Sequence, residues 1–188
     1  MVKFNNPFNL KNKLIFIIGG NGLIGAESST LLANLNAKVV VIDKNDKNRI
    51  NNQTNIKFEK YNITNIVKIE SNLKKLIKKY GVPDVFINCS YPKTKDWGKN
   101  NFKEIKYLTY KKNLQLHLDS YVWSSKFICD EMKKNEIKGS VILLNSIYGM
   151  VGQTLDIYTG TNIKENMTYS IIKGGLTNFV RQMASFYG

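Results

Sequence analysis

Five short runs of mostly apolar residues recur along the chain, and each is followed by a turn or a polar loop. A strand that is buried on both faces of a parallel sheet has this continuous apolar character instead of a strict alternation. The runs are Leu14–Ile18, Lys38–Asp43, Ile56–Tyr61, Val85–Asn88 and Val141–Leu144. The sequence therefore predicts five short strands, most of them inside the molecule.

The segments between these runs carry apolar residues at helical spacing. They predict helices at Leu23–Leu35, Ile66–Tyr80, about Ile105–Lys134 and about Met167–Phe186. Parallel strands joined by crossover helices form right-handed βαβ units. We therefore expect one α/β domain over residues 1–188, with a Rossmann-like, doubly wound parallel sheet in the order 3-2-1-4-5. In such a sheet a ligand binds at the carboxyl ends of the strands.

Length and composition fit one such domain but leave the partner open. The chain has 188 residues, of which 43% are hydrophobic, and a formal net charge of +14. A basic excess can indicate a polyanionic partner. Almost all the basic residues are lysines, however, and only Arg49 and Arg181 offer a guanidinium fork. We therefore do not expect nucleic acid as a partner; that alternative predicts binding that weakens steeply with salt.

The sequence carries little sign of a metal, a disulfide or a membrane. Cys89 and Cys129 lack metal-ligand or redox spacing, which fits a reducing compartment. No apolar segment approaches the ~18 residues of a membrane span, and the N-terminus lacks the apolar stretch of a signal peptide. We expect a soluble cytoplasmic protein without a bound metal and without a membrane contact.

A glycine-rich turn joins the first predicted strand to the first helix. Gly19, Gly22 and Gly25 form the pattern G-x-x-G-x-x-G, and with Leu23 and Ile24 they make a candidate phosphate-binding turn. Glycines at such positions allow a sharp turn, let backbone N–H groups approach a pyrophosphate, and let helix and strand pack closely. The alternative is a glycine-rich turn without a ligand.

Asp43 ends the second predicted strand, 24 positions after Gly19. An acidic residue near that offset accepts hydrogen bonds from the adenosine ribose hydroxyls and repels the 2′-phosphate of NADP. This favours NAD as cofactor. Lys44, Lys47 and Arg49 follow closely and can partly neutralise the carboxylate, so NADP is not excluded, and Asp43 can also be an ordinary turn residue.

Tyr169 and Lys173 are four positions apart and share one face of the last predicted helix. An ammonium group beside a phenol lowers the pKa of the phenol, which favours proton transfer at neutral pH. The pattern Y-x-x-x-K alone is common by chance in a lysine-rich chain. Ser146 strengthens it, because a hydroxyl at the end of the fifth predicted strand is expected to face the same crevice.

Four features follow one another along nearly the whole chain: the glycine-rich turn, Asn88-Cys89-Ser90, Ser146 and the Tyr169–Lys173 pair. In this order they resemble the short-chain dehydrogenase/reductase family. The resemblance implies an NAD(P) cofactor whose pyrophosphate lies on the glycine turn. The other implied cofactor contacts are Asp43 at the ribose, Asn62 and Ile63 near the adenine, Asn88, Cys89 and Ser90 after the fourth strand, and Tyr169 and Lys173.

The same resemblance implies the catalytic roles. Tyr169 is then the acid/base, Ser146 orients the substrate carbonyl, and Lys173 binds the nicotinamide ribose and tunes Tyr169. The family's relay asparagine falls by spacing on His117, whose ordinary pKa near 6.5 would suit proton exchange at neutral pH. A buried histidine that only fills space is the alternative.

Two further departures from the family pattern concern the turn and the approach to Tyr169. Ile18 stands where a threonine is usual, and 23 positions separate Ser146 from Tyr169, so that Thr154–Asn166 resembles an insertion beside the active site. Its tyrosine, threonines and asparagine can bind a hydroxylated substrate. A surface insertion without function is the alternative.

Three phrases, 146–149, 157–162 and 169–173, resemble oxidoreductases of the flagellin-modification type, which act in making sialic-acid-like or amino sugars for surface glycans. The implied function is interconversion of a secondary alcohol and a ketone on a sugar or sugar nucleotide. The alternative is a dinucleotide-binding module that is catalytically weak or inactive.

The family resemblance also bears on completeness and assembly. Family members continue beyond the Y-x-x-x-K helix with two more strands, and this sequence stops at Gly188. We therefore expect a C-terminally truncated member that lacks those strands, with the fifth strand as an apolar edge, an open nicotinamide end, weak dinucleotide binding and little turnover. The resemblance implies homo-oligomers joined through the long helix from about Ile105 and the Tyr169 helix.

Overall fold

The computed structural model describes residues 8–46, 49–50 and 54–188. These ranges contain a five-stranded sheet in the order β3-β2-β1-β4-β5, in which every neighbouring pair is parallel. The strands are β1 (Leu14–Ile18), β2 (Lys38–Asp43), β3 (Ile56–Lys60), β4 (Val85–Asn88) and β5 (Ser140–Leu143). The predicted fold class and strand order are confirmed.

Helices connect the strands as the apolar spacing predicts. In the described ranges the α-helices are α1 (Leu23–Asn34), α2 (Ile69–Tyr80), α3 (Tyr107–Asn113), α4 (Ser120–Lys134) and α5 (Met167–Tyr187). The long helix predicted near Ile105–Lys134 is interrupted, because a π-helical stretch at Leu114–Asp119 joins α3 to α4. Stretches of this kind are frequent at functional sites.

Strand β1 is at the centre of the sheet and is buried on both faces. Phe16 and Ile18 pack into one apolar cluster with residues of α2 and α4, while Ile15 and Ile17 pack into a second cluster that includes a residue of α1. Successive side chains of a strand point to opposite faces, so both sets must be apolar. This explains the uninterrupted apolar run in the sequence.

A smaller cluster joins the last helix to the rest of the domain. Tyr121 of α4 packs with Ile172 and Leu176 of α5, and all three side chains are fully buried. This contact holds the first half of α5 against α4. The residue pair Tyr169 and Lys173, which lies on that half of α5, is thereby placed near the end of the sheet.

Strand β5 lies at the edge of the sheet and pairs with β4. Ile142 of this strand is 47% exposed, in contrast to Ile15–Ile18 of β1, which are at most 1% exposed. No helix in the described ranges is both long enough and apolar enough to cross a membrane.

Candidate functional site

The carboxyl ends of β1, β2 and β4 open onto a cleft of about 420 Å³. Most of the residues that the sequence nominates for cofactor binding lie in its wall. They are Gly19, Gly22, Leu23, Ile24, Gly25, Asp43, Asn62, Ile63, Cys89 and Ser90. Asn88 lies just beneath the wall and is fully buried.

The glycine-rich turn is packed too tightly for side chains at two of its positions. Gly19 has a φ of +71°, and a Cβ there would lie 2.6 Å from the backbone nitrogen of Ser90. A Cβ at Gly25 would lie 2.3 Å from the carbonyl oxygen of Gly19. The turn therefore needs glycine to bring β1, α1 and the chain after β4 together.

The start of α1 offers backbone N–H groups to the cleft. Gly22 is the N-cap and supplies no side-chain hydrogen bond, so the N–H groups of the first turn need another acceptor. Leu23 and Ile24 in that turn line the cleft and are 77% and 59% exposed. A phosphate group fits this donor set, because it satisfies the N–H groups and meets the positive end of the helix dipole.

Asp43 is held against the glycine-rich turn. Its Oδ2 accepts a hydrogen bond of 3.2 Å from the backbone N–H of Asn21, and its Oδ1 accepts one of 2.7 Å from that of Lys44. Lys44 lines the same cleft, and Arg49 donates its backbone N–H to the Asn21 side chain at 3.4 Å. Lys47 lies outside the described residues.

The segment after β4 forms the opposite wall. Asn88 Oδ1 accepts hydrogen bonds from the backbone N–H of Ser90 at 3.0 Å and from its hydroxyl at 2.7 Å, while Asn88 Nδ2 is buried with no hydrogen-bond partner among the described residues. Burial raises the pKa of Cys89 to about 11, so this thiol is neutral at pH 7. The carbonyl oxygen of Ser90 accepts a hydrogen bond of 2.7 Å from the Tyr121 hydroxyl.

The third strand contributes the far end of the cleft. Asn62 Oδ1 accepts hydrogen bonds from the backbone N–H of Thr64 at 3.1 Å and from its hydroxyl at 2.8 Å. Ile63 beside it is 6% exposed. The two residues thus form a stiff turn with an apolar side chain, which suits a flat ring such as adenine.

Lys173 is a buried ammonium group at the end of β5. It is 3% exposed, its Nζ donates to the carbonyl oxygen of Leu144 at 2.8 Å, and the same Nζ lies 3.5 Å from His117 Nε2. It also lies 5.6 Å from the ring centre of Tyr169. Burial lowers the pKa of Lys173 from 10.5 to about 8, because the charged form loses its hydration.

His117 lies in the π-helical stretch and faces Lys173 as the spacing predicts. The expectation that its pKa lies near 6.5 is wrong. Burial, and to a lesser degree the charge of Lys173, lowers the pKa of His117 to about 3, so the imidazole is neutral at pH 7. Its Nδ1 is buried without a hydrogen-bond partner in the described ranges.

Tyr169 lies in the first turn of α5, where Asn166 is the N-cap. Asn166 Oδ1 accepts the backbone N–H of Tyr169 at 2.8 Å. The Tyr169 ring packs edge-on against Tyr91 and Trp97, with ring centres 6.0 and 6.3 Å away. Neither of these aromatic residues was nominated from the sequence, although Tyr91 directly follows Ser90.

Ser146 lies in the loop that connects β5 to α5. Its Oγ accepts the backbone N–H of Tyr148 at 3.2 Å. The carbonyl oxygen of Leu144, two residues before Ser146, accepts a hydrogen bond from the Lys173 ammonium. Gly149, three residues after Ser146, packs so closely on Lys173 that a Cβ there would lie 2.5 Å from the Lys173 carbonyl oxygen. The structure therefore brings the loop of Ser146 against the part of α5 that carries Tyr169 and Lys173.

Comparisons with known proteins agree with this arrangement. The family model of the short chain dehydrogenases matches residues 13–188. The post-translational flagellin modification protein A of Campylobacter coli is 30% identical over 177 residues, which cover 90% of this chain and 69% of that protein.

Solved structures show the same fold. A short chain dehydrogenase from Leptospira borgpetersenii serovar Hardjo-bovis, with bound NAD+, superposes with a TM-score of 0.84 at 22% identity, over 99% of this chain and 70% of the other. Levodione reductase superposes with a TM-score of 0.79 at 17% identity, over 95% and 67%. This chain belongs to the short chain dehydrogenase family, whose members are NAD(P)-dependent oxidoreductases.

Proposed function

We propose that this protein interconverts a secondary alcohol and a ketone with NAD, on a sugar or sugar nucleotide that is used for surface glycans. Membership of the short chain dehydrogenase family supports the reaction class. The likeness to a flagellin modification protein supports the substrate class and the role. The observation that carries the proposal is the buried Lys173 ammonium, which lies beside the Tyr169 ring and the end of β5.

The residues that line the cleft have the chemistry to hold a dinucleotide. The glycine-rich turn and the first N–H groups of α1 would hold the pyrophosphate. Asp43 accepts the ribose hydroxyls and disfavours a 2′-phosphate, while Lys44 in the same wall keeps NADP as a weaker alternative. Asn62 and Ile63 would hold the adenine, and Asn88, Cys89 and Ser90 would hold the part of the cofactor toward the nicotinamide.

The side chains at the end of β5 supply the proton chemistry. The bound nicotinamide supplies or accepts the hydride. Tyr169 gives a proton to the substrate oxygen, or takes one from it, and the Lys173 charge stabilises its phenolate form. Lys173 also binds the nicotinamide ribose. Ser146 donates a hydrogen bond to the same substrate oxygen as negative charge develops there.

His117 takes the relay position, but as a neutral group. With a pKa of about 3, the imidazole does not hold an extra proton at pH 7. Its Nε2 lies 3.5 Å from the Lys173 ammonium and can accept a hydrogen bond from it, while the buried Nδ1 has no partner in the described ranges to which a proton could pass. Its proposed role is therefore to position Lys173 as a neutral hydrogen-bond acceptor, and not to act as a charged acid or to pass a proton through Nδ1.

The proposal extends to location and assembly. A cytoplasmic enzyme has access to NAD, and a homo-oligomer joined through α4 and α5 suits the family. Trp123 on α4 is 47% exposed and is available for such a contact. Sedimentation of the purified chain measures the oligomeric state directly.

Replacement of Tyr169 by phenylalanine tests the function. We expect Tyr169→Phe to bind NADH as the wild type does and to lose about 10³-fold in turnover, since it removes the proton donor. NADH absorbance reports turnover with a panel of keto-sugars and their nucleotide conjugates, and NADH fluorescence reports binding. Tyr107→Phe, at a tyrosine that is 72% exposed on α3, is the matched control.

The outcomes separate an enzyme from a binding module. Turnover that survives in Tyr169→Phe contradicts the proposed mechanism. NADH binding without turnover of any keto-sugar in the wild type favours the module without catalytic function.

A further inference from the structure

A second cavity, of about 370 Å³, has Tyr169 in its wall. We propose that this aromatic cavity binds a pyranose ring of the substrate, an inference that rests on the proposed function. It lies between the loop after β4 and the segment that precedes α5. Its lining residues are Tyr91, Trp97, Gly98, Tyr148, Gln153, Tyr158, Asn162, Ile163, Lys164, Asn166 and Tyr169.

The aromatic cavity shares one side chain with the cleft at the carboxyl ends of β1, β2 and β4, called the nucleotide cleft below. Tyr91 lines both, and its ring centre lies 6.0 Å from that of Tyr169. A ring in the aromatic cavity therefore lies against the proposed acid/base and next to the cleft. This is where a substrate carbon must be if it exchanges hydride with a nicotinamide and its oxygen exchanges a proton with Tyr169.

Gln153 holds the inserted segment Thr154–Asn166 in place at both of its ends. Its Oε1 accepts the backbone N–H of Asn166 at 2.9 Å, and its Nε2 donates to the Asn166 carbonyl oxygen at 3.2 Å and to the Ser170 hydroxyl at 3.0 Å. One amide thus closes the segment into a loop whose ends are adjacent. This geometry favours the interpretation that the segment is a fixed wall of the aromatic cavity over the alternative of a surface insertion without function.

The inserted segment is also attached to the loop after β4. Asn166 Nδ2 donates to the carbonyl oxygen of Trp97 at 3.1 Å, across 69 positions of sequence. Lys164 forms an ion pair with Glu104 at 2.6 Å, and Glu165 accepts the backbone N–H of Phe102 at 3.3 Å. The two walls of the cavity are therefore bonded to each other, and the space between them is defined before any substrate enters.

The lining has the chemistry of a sugar site. Tyr91, Trp97 and Tyr169 form mutually edge-on pairs, so they present ring faces and edges in several directions. An aromatic face packs against the C–H groups of a pyranose, while hydroxyl and amide groups bond to its hydroxyls. Tyr158 and the exposed side chain of Asn162 supply such groups from the inserted segment.

Size and charge narrow the occupant to one uncharged ring. A cavity of about 370 Å³ is at the small end of ligand sites, and it holds a substituted pyranose but no nucleotide as well. Lys164 is the charged residue of the lining, and Glu104 already neutralises it. A nucleotide on the sugar, if present, must therefore lie outside this cavity.

Trp97 provides a direct test, because the chain has two tryptophans. In Trp123→Phe, which removes the half-exposed tryptophan of α4, the remaining emission comes from Trp97 in the cavity wall. This variant is titrated with glucose, N-acetylglucosamine and their uridine diphosphate conjugates, each with and without NAD+. Cyclohexanol, which has the ring without the sugar hydroxyls, and uridine diphosphate alone are the control ligands.

We expect a saturable change in Trp97 emission with at least one pyranose, and none with uridine diphosphate. In the same background, Tyr158→Leu should weaken that binding about tenfold through loss of the aromatic face, and Tyr158→Phe should keep it within about threefold. Tyr158→Phe also serves as the folding control, because it preserves the packing of the inserted segment.

Three results would overturn the inference: no pyranose changes the Trp97 emission, cyclohexanol binds as tightly as the pyranoses, or Tyr158→Leu binds as the parent does. The proposed function fails separately, if Tyr169→Phe retains turnover while pyranose binding at Trp97 is as expected. Pyranose binding needs no catalysis, so the two failures are distinguishable.

Discussion

The nucleotide cleft and the aromatic cavity meet at Tyr91 but are constructed in different ways. The cleft is made by turns that directly follow adjacent strands, and its closest approaches are between backbone atoms, such as those at Gly19 and Gly25. The cavity is made by side chains from two loops that are far apart in sequence, joined by contacts such as Asn166 to Trp97. A site formed by backbone atoms keeps its shape with many different side chains around it. A site formed by side chains changes shape when any one of those side chains is replaced.

The nucleotide cleft also differs from the proposed catalytic side, which comprises Tyr169, Lys173 and the aromatic cavity beside Tyr169, in how each region holds its charged residue. Asp43 in the cleft accepts backbone N–H groups and stays partly accessible. Lys173 is buried, and its hydrogen-bond contacts in the described ranges are a carbonyl oxygen and an imidazole instead of a carboxylate. Burial lowers its pKa to about 8. A buried cation without a carboxylate destabilises the fold, which indicates that it is kept for its chemistry.

Lys173→Met should separate the two regions most strongly. Loss of the ammonium should lower turnover about 10³-fold, a size typical of proton-transfer groups. It should weaken NADH binding much less, because only the contact with the nicotinamide ribose is lost and the glycine-rich turn keeps its contacts. Parallel assays of NADH fluorescence and of turnover with the keto-sugar panel measure both effects. Equal losses in binding and turnover would show that the two regions do not act independently.

The same substitution should raise the free energy of unfolding at pH 7 by a few kcal/mol. The folded pKa of Lys173 is about 8 against an ordinary value of 10.5, so the unfolded chain binds this proton more tightly. Wild-type stability should therefore rise between pH 8 and 10.5, and the advantage of Lys173→Met should shrink across that window. Urea unfolding at both ends of the window checks this, with Lys75→Met on α2 as a pH-independent control.

Gly25→Ala should damage the cleft and leave the aromatic cavity intact. The added Cβ would lie 2.3 Å from the Gly19 carbonyl oxygen and 2.7 Å from Gly20 Cα. These are backbone atoms, which cannot relieve the clash by a change of rotamer as a side chain can. NADH affinity should fall roughly 10- to 100-fold, as expected for 1–3 kcal/mol of overpacking. Gly152→Ala, where a Cβ has nothing within 4 Å, should bind NADH normally. Normal binding by Gly25→Ala would refute the packing argument.

Asp43→Ala should alter cofactor choice more than cofactor binding. The wild type should bind NADH more tightly than NADPH, and removal of the carboxylate should narrow that gap about tenfold by ending its repulsion of the 2′-phosphate. Fluorescence titrations with both cofactors measure the gap. Glu70→Gln on α2 removes the same charge far from the cleft and should leave it unchanged. Equal affinities in the wild type would contradict the role of Asp43.

His117 should show the smallest effect near neutral pH. It is the one histidine of the chain, so its imidazole proton resonance is assigned without ambiguity. Because its folded pKa is about 3 against an ordinary 6.5, the resonance should stay constant from pH 5 to 7, below the pKa of about 8 of the neighbouring Lys173. A midpoint near 6.5 would contradict burial. Unfolding free energy should decrease as pH falls below 6.5, since the unfolded chain takes up the proton, and His117→Gln should lack this contribution.

Local pattern was enough to predict the cleft. A strand between two apolar layers must be apolar throughout, and a turn that brings backbone against backbone must use glycine, so Leu14–Ile18 and the turn at Gly19, Gly22 and Gly25 carry their structure in consecutive residues. Asp43 follows from the same logic, because the end of a strand fixes where its next side chain lies. The strand order also followed, since right-handed βαβ units place β2 beside β1 and β3 beside β2, and a doubly wound sheet then continues with β4 on the other side of β1.

The properties of the catalytic side depend on contacts between distant segments. The spacing places His117 opposite Lys173, but its pKa was mispredicted, because burial and the Lys173 charge exist only once α5 packs on α4. The π-helical stretch and the roles of Tyr91 and Trp97 likewise had no local signal. Residue type and spacing thus determined the sheet, the glycine-rich turn and the candidate residues. Tertiary packing alone decided their hydration, their protonation and the walls around them, because these depend on which distant side chains exclude water.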